Sequence, residues 1–483
     1  MSHPVSTVLR IAVCAVLFIA LNTSGQDQLG IAGSNYSPVN TVWNNPSTIV
    51  DSKAFLDIQL AGVGVFARNN LAYLPGGSFS FRNPESTPLP SYKRDNAPYL
   101  AYADVEVWGP SATFAVKQHA FGILTRFRTV ADVRGLPESL GYYLTEGFQY
   151  RQQMGIQQTV RDARLGGLSW GEIGLSYGTI VSRSGAMITQ AGVTVRRMIG
   201  VMGAGMRVDD WTYVVLDSNN MRTLNFQGEY GFNDPGTESF NWNNGGGWGV
   251  DLGVTFKQRL RSSENYTPHD PCSDGNYRYR LGFSVLDIGR IRFRGPFYRN
   301  IVNETEENDW SDFGNAQVND VQGLDSLLNS GLLAAQDNSD QQRFTMMLPT
   351  AFSAQLDYNL NHGFYVHTVV TAGVPWRNRL GVQRSSYLGV IPRWEKKRFE
   401  AALPVSLFEF RYPQVGAMIR LNSLVIGSDN LGGLLFGRNV FGADIYVSLK
   451  YTAFRHWKCN PGPKKKKMPR RRMPKTPVPC PVW

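Results

Sequence analysis

Residues 441–451 read Phe-Gly-Ala-Asp-Ile-Tyr-Val-Ser-Leu-Lys-Tyr, and they alternate. Phe441, Ala443, Ile445, Val447, Leu449 and Tyr451 share one face, and Gly442, Asp444, Tyr446, Ser448 and Lys450 share the other. A period of two means a β-strand with one apolar and one polar side. The stretch is about as long as the roughly 9–11 residues that a tilted strand needs to cross a bilayer. A basic, proline-rich tail follows at once. The stretch is therefore expected to be the closing strand of a barrel, the one that pairs with the first.

The same rhythm runs back through residues 54–451. Leu56, Ile58, Leu60, Gly62, Gly64 and Phe66 are placed on one face, with Asp57, Gln59 and Ala61 on the other. Residues 101–108 alternate, 111–130 read as one strand with a bulge near 117–119, and 170–177, 187–195 and 223–230 are plausible strands. In 248–256, Trp248, Val250, Leu252, Val254 and Phe256 oppose Asp251 and Thr255. In 277–285, Tyr277, Tyr279, Leu281, Phe283 and Val285 oppose Arg278, Arg280 and Ser284. Further strands are expected at 351–358, 364–370, 399–407 and 415–421, and one at 387–394 is interrupted by Pro392. The spacing of Val321, Leu324, Leu327, Leu328, Leu332 and Leu333 predicts a short amphipathic helix over 318–336. The fold class is thus all-β: a transmembrane antiparallel β-barrel of about 14 strands. Tyr73, Trp108, Tyr177, Tyr230, Trp248, Tyr277, Tyr358 and Tyr451 stand near strand ends, where interfacial aromatic girdles belong. No stretch is long enough for a spanning helix, and only helices and closed barrels satisfy their backbone groups in lipid.

The ends are read separately. Residues 1–25 carry Arg10, an apolar run over 11–21 and a small or polar close, the pattern of a secretory signal peptide. Residues 26–53 are rich in Asn, Ser and Gly, too polar to face lipid, and are expected inside the barrel as an N-terminal plug segment around Asn45, Pro46 and Ser47. Residues 452–483 form a basic Pro-rich tail with Lys464, Lys465, Lys466, Lys467, Arg470, Arg471 and Arg472, expected to be disordered and solvated. The net charge of +11 comes from this tail and the signal, and residues 26–451 are neutral. No basic body argues for nucleic acid. Removal of the signal takes Cys14 and leaves Cys272, Cys459 and Cys480, whose pairing stays open.

Motifs that resemble chemistry fail on context. Gly167-Leu168-Ser169-Trp170-Gly171 has the letters of a nucleophile elbow, but 172–178 continues as strand where a helix is required. Gly203-Ala204-Gly205 lacks its third glycine and a βαβ unit. His362 and His367 fall on opposite faces of a strand, with nothing to complete a metal set. No catalytic, cofactor or metal site is expected. The polar phase of the strands supplies the lumen-facing candidates Asp57, Gln59, Asp104, Glu106, Asp251, Gln355, Asp357 and Asp444, which can hydrate the interior or pair with Arg278, Arg280 and Arg420.

Several stretches resemble an uncharacterised family of gram-negative outer-membrane barrels, distantly similar to the long-chain fatty-acid transporters and to the shuttle barrel of type IX secretion. They are 30–47 ending in Asn45-Pro46-Ser47, Leu286-Asp287-Ile288-Gly289 within 281–291, Leu348-Pro349-Thr350, and Ile426-Gly427-Ser428-Asp429-Asn430-Leu431 before Gly442-Ala443-Asp444-Ile445-Tyr446. The resemblance implies a fourteen-strand barrel with an N-terminal segment folded inward. The fatty-acid transporters pass hydrophobic solutes through a lateral opening, but their ligand-binding residues have no match here. The tail after Tyr451 departs from the usual ending on the aromatic of the last strand.

The expected function is a channel or transporter in the cell outer membrane for small or hydrophobic compounds, without enzymatic activity. The alternative is a membrane anchor or interaction protein that uses its tail and loops. The partners implied are outer-membrane lipid, a hydrophobic small molecule, and an anionic periplasmic component bound by the tail.

Overall fold

The computed structural model describes residues 28–76, 91–93, 98–138, 140, 154–217, 220–233, 244–260, 277–294, 297–303, 308–310, 328 and 343–454. Fourteen antiparallel staves close on themselves. In chain order they are β1 (Leu56–Asn69), β2 (Tyr99–Trp108 and Ser111–Val116), β3 (His119–Leu136), β4 (Gln157–Ser184) and β5 (Met187–Val215). Then come β6 (Met221–Phe232 and Gly245–Arg259), β7 (Tyr277–Arg294, Phe297–Asn303 and Asn308–Trp310) and β8 (Arg343–Met347 and Ala351–Asn361). The wall is completed by β9 (Phe364–Gly373), β10 (Tyr387–Lys396), β11 (Phe399–Ala402 and Val405–Phe408), β12 (Tyr412–Val415 and Ala417–Leu421), β13 (Leu424–Ser428) and β14 (Gly442–Ala453). Closure is the pairing of β14 with β1, from Leu56 opposite Ala453 to Arg68 opposite Gly442.

At the end where β1 starts and β14 stops, described turns are tight. Residues 117–118, 185–186, 362–363, 397–398 and 422–423 each join two strands. Lys117, Gly185, His362, Gly363 and Asn422 take the positive φ that two-residue hairpins require.

Polarity along the wall inverts once. Nearer this terminal end the outward face is apolar: Ile123, Leu175 and Val195 stand side by side across β3, β4 and β5, all exposed. Phe283, Phe352, Ile419, Ile426, Ile445 and Leu449 continue the band. The inward face there carries the charge, and every one of Asp104, Glu172, Arg196, Asp251 and Asp357 is buried. Further along the same β4 and β5 the order reverses. Gln157, Thr159 and Arg161 face out, while Val160, Ala163, Val208, Tyr213 and Val215 are buried in an apolar cluster with Trp211, Phe226, Tyr230 and Phe232. A soluble sheet keeps its apolar side in, and only a wall facing hydrocarbon does the opposite. The 28 and 29 residues of β4 and β5 therefore cross an apolar layer and continue into water as a far-end extension.

Several sequence expectations are corrected. Residues 111–130 are two strands with a turn at 117–118, because Lys117 adopts positive φ. A β-bulge between Gln59 and Ala61 flips the phase of β1, so Leu60 and Val63 face out and Phe66 is buried. An irregularity at Gln258 and Arg259 does the same to β7: Tyr277 turns in and Arg278 out. Trp108 and Tyr230 are also buried and belong to no girdle, whereas Trp248, Tyr358 and Tyr451 are exposed. Pro392 is accommodated within β10, opposite Val366. His362 lies in a turn, not on a strand. The expected signal, the 318–336 helix apart from Leu328, the three cysteines and the basic cluster of the tail lie outside the described residues.

Candidate functional site

The barrel interior is filled from three sources, and the first is the chain's own N-terminal segment. Two short helices, α1 (Leu29–Ala32) and α2 (Pro38–Thr41), lead into a 3-10 turn at Pro46–Asp51. Asn45 caps that turn through its side-chain oxygen, which accepts from the Ser47 N–H at 3.0 Å, with Pro46 at the first helical position. This is what the Asn-Pro-Ser sequence encodes locally. Asn45 Nδ2 then donates to Gln355 Oε1 at 2.9 Å, and Ser47 Oγ meets Thr255 Oγ1 at 2.7 Å. The partners of the segment come from all round the wall: Asp57 of β1, Ser284 of β7, Glu400 of β11, and Asp429 after β13. Leu29 and Ile31 pack with Met418 and Tyr446, and Val39, Val42, Ile49 and Val50 pack with Leu124 and Ile180.

Glycines in the wall leave room for it. A Cβ on Gly192 would lie 2.4 Å from the Pro46 carbonyl carbon, and one on Gly253 would lie 2.0 Å from Asn45 Oδ1. Gly192→Leu is accordingly expected to unseat the 46–47 turn while the strands stay paired. Limited proteolysis should then cut within 28–53 in the variant at protease levels that spare the parent; equal resistance would mean that the turn is not seated there.

The second filling is charge. Arg126 Nη1 donates to Glu106 at 2.6 Å and its Nε to Glu172 at 2.6 Å. Arg128 reaches Asp104 at 3.1 Å and Asp287 at 2.9 Å, and Arg196 joins Glu172 at 3.1 Å, Asp287 at 2.8 Å and Asp251. Arg384 adds a further bond to Asp287 at 3.0 Å. Four guanidiniums thus face five carboxylates across the lumen. A second group lies nearer the terminal end: Asp357 accepts from Arg393 at 3.0 Å and pairs with Arg280 at 3.4 Å, and Arg420 donates to Glu400 at 3.0 Å. The two filled regions touch where Arg126 stacks over Trp43 of the N-terminal segment, 4.1 Å from its ring centre.

The eight polar residues singled out in the sequence are all buried. Asp57 is bonded to Lys450 and Thr452, Asp104 and Glu106 join the charged belt with Asp251, and Asp357 anchors the second group. Gln355 holds Asn45, Asp444 accepts from the Asp429 N–H, and Gln59 is enclosed. Of the expected cations, Arg280 and Arg420 meet carboxylates but Arg278 faces outward. Sequence reading missed Arg126, Arg128, Arg196, Arg393, Glu172, Asp287, Glu395 and Glu400. The signal was present in Arg126-Phe127-Arg128, two cations one period apart, lying on the strand next to Asp104 and Glu106.

Chemically, the described interior is occupied by ion pairs that largely offset one another. Ser169 lies in the middle of β4, bonded to Thr129 Oγ1 at 3.0 Å. Among the described residues no group of His, Cys, Asp or Glu could hold a metal ion. A cavity of about 20 Å³, large enough for a water molecule, sits between Asn45, Thr255, Arg280, Gln355 and His367.

The third filling is the segment between β9 and β10. Its Leu380 and Val382 are buried with Phe344, Met346 and Leu348.

Comparison with known proteins returns one family, described as a family of unknown function (DUF5723), matching residues 46–429. No curated protein matches. Among solved structures, a ΔS2S3 mutant of the TodX monoaromatic hydrocarbon channel aligns at 10% identity and a TM-score of 0.39, covering 89% of this chain and 99% of that one. The Pseudomonas putida toluene transporter TodX aligns at 9% identity and 0.35, covering 86% and 94%. A Pseudomonas aeruginosa FadL homologue aligns at 10% and 0.28, covering 90% and 99%.

Proposed function

We infer that this chain, which belongs to the DUF5723 family, is an outer-membrane β-barrel that passes small or hydrophobic compounds and that residues 28–53 close as a plug. The observation that carries the reading is the inversion of polarity along β4 and β5, which supports a wall set in hydrocarbon with an extension in water. The extension's interior is an apolar and aromatic cluster, compatible in chemistry with a hydrophobic compound. The polar part of the plug's seat, around Asn35, Asn44, Asn45 and Ser47, is hydrogen-bonded, beside the apolar contacts of Leu29, Ile31, Val39 and Ile49. Water can replace such partners, so each bond contributes only about 1 kcal/mol net and a seat of this kind can be left and regained. The reading includes export by residues 1–25, termini on the periplasmic side as the tight turns favour, contact of the basic tail with anionic periplasmic components, and no enzymatic activity.

Deletion of 30–48 tests it. The strands pair without that segment, so the purified variant should keep its β-sheet circular dichroism and, in planar bilayers, show higher mean conductance than the parent. A folded barrel whose conductance does not change would mean that residues 28–53 do not gate a path through it.

A further inference from the structure

Residues 374–386 leave β9 and return to β10, yet they are bonded to strands across the lumen. Their near ends are tied beside the hinge: Gly373 N–H donates to Ser386 Oγ at 3.1 Å and Glu409 N–H to the Ser386 carbonyl at 2.6 Å. Between these ties, Gln383 N–H donates to Asp132 of β3 at 3.3 Å, and Arg164 of β4 donates to the Arg377 carbonyl at 3.1 Å. In a fourteen-stave ring β3 and β4 stand nearly opposite β9 and β10. The segment also lies along β8, with Met347 N–H donating to the Leu380 carbonyl at 2.9 Å and Trp376 Nε1 to the Leu348 carbonyl at 3.1 Å. A Cβ on Gly166 would lie 2.7 Å from the Gly381 carbonyl, so the far wall is bare where the segment arrives. It is a strap drawn across the lumen above the charged belt.

We propose that the strap is a second closure of the barrel, separate from the N-terminal plug, and that Arg384 on Asp287 is its latch; the proposal rests on the transport reading above. Arg384 is the only member of the belt that the strap supplies. When it leaves, Asp287 keeps Arg128 and Arg196, so opening strands no carboxylate in the wall. Both ends of the strap are tethered on the β9–β10 side, and the bonds given up at β3 and β4 are few. A flap hinged on one wall follows from that asymmetry. The plug does not share these bonds, so either closure can open with the other in place.

The test uses the full chain with Cys272, Cys459 and Cys480 changed to Ser, in planar bilayers, beside its 30–48 deletion. In the deletion, the strap alone should gate, giving intermittent openings. Adding Arg384→Glu, which sets a carboxylate against Asp287, should raise the open-to-closed ratio about tenfold or more, as loss of a charge-assisted latch requires. Replacing 376–384 by a Gly-Ser run of equal length should do the same without placing a charge in the belt. Adding Met347→Cys with Gly381→Cys, where the two Cβ atoms would lie 2.8 Å apart, should suppress openings when oxidised and restore them with dithiothreitol. Steady conductance in the deletion that none of these changes alters overturns the strap and leaves the transport reading standing. Silence in the deletion and in both latch variants, with β-sheet dichroism intact, overturns the transport reading itself.

Discussion

Arg128→Met should destabilise the barrel by about 3–5 kcal/mol, the cost of removing one partner from a buried ionic group. The substitution preserves much of the side-chain volume, so the loss is electrostatic rather than a cavity. Arg128 is 1% exposed and faces Asp104, Glu106 and Asp287. Without it, three cations confront five carboxylates in a space closed to water. Urea titration in lipid vesicles, followed by tryptophan fluorescence, reads the change. Adding Asp104→Asn removes the most exclusively dependent carboxylate and should recover about 1–3 kcal/mol, a coupling of the size expected for groups in one network. If the double variant were as unstable as the sum of the two single ones, the belt would not be acting as one network.

A second large effect is expected from Leu175→Arg. Leu175 is 65% exposed, between Ile123 and Val195 on the outward face. In a wall that faces lipid, arginine at such a place costs about 2–4 kcal/mol near the midplane. Gln157→Arg is the internal control, since Gln157 is exposed on the same strand β4 but in the far-end extension. There the substitution should change stability by no more than about 0.5 kcal/mol, as at ordinary wet surfaces. Equal tolerance of both arginines would mean that Leu175 faces water and that the apolar band is not a lipid contact.

The same pair of residues explains what could be read in advance. Alternation told that Leu175 lies on a two-faced strand, while Gln157 lay outside every strand expected from the sequence although β4 runs from it to Ser184. The closing strand was legible almost residue by residue over 441–451. Period two does not say which face is outside, however, so one pattern served both the lipid-facing wall and the wet extension. Phase was lost wherever the backbone added a residue: one bulge at Gln59 and Ala61 sent Phe66 to the opposite face. Asp57, Asp104, Glu106, Asp251, Asp357 and Asp444 were visible because acids are rare among apolar neighbours, whereas Glu172, Asp287, Glu395 and Glu400 were passed over. Arg280 and Arg420 were named, but Arg126, Arg128, Arg196 and Arg393 were not, because a long cationic side chain with an apolar stem is at home on either face of a strand. The strap left no trace in the sequence. Residues 374–386 have the polar, glycine- and proline-containing composition of any surface loop, and only the wall across the lumen reveals where they go.

The seating of the N-terminal segment sets an order of events. Leu29 donates to Asp429 across 400 residues, and Asn40 accepts from Lys450 across 410. The first described residues to be synthesised therefore complete their set of partners only when the last strands exist. Until β14 is in place, residues 28–53 have half a socket. A chain stalled before β14 would keep that segment free and open to proteases, while a finished one would draw it in. Occupancy of the socket thus reports that the barrel is complete.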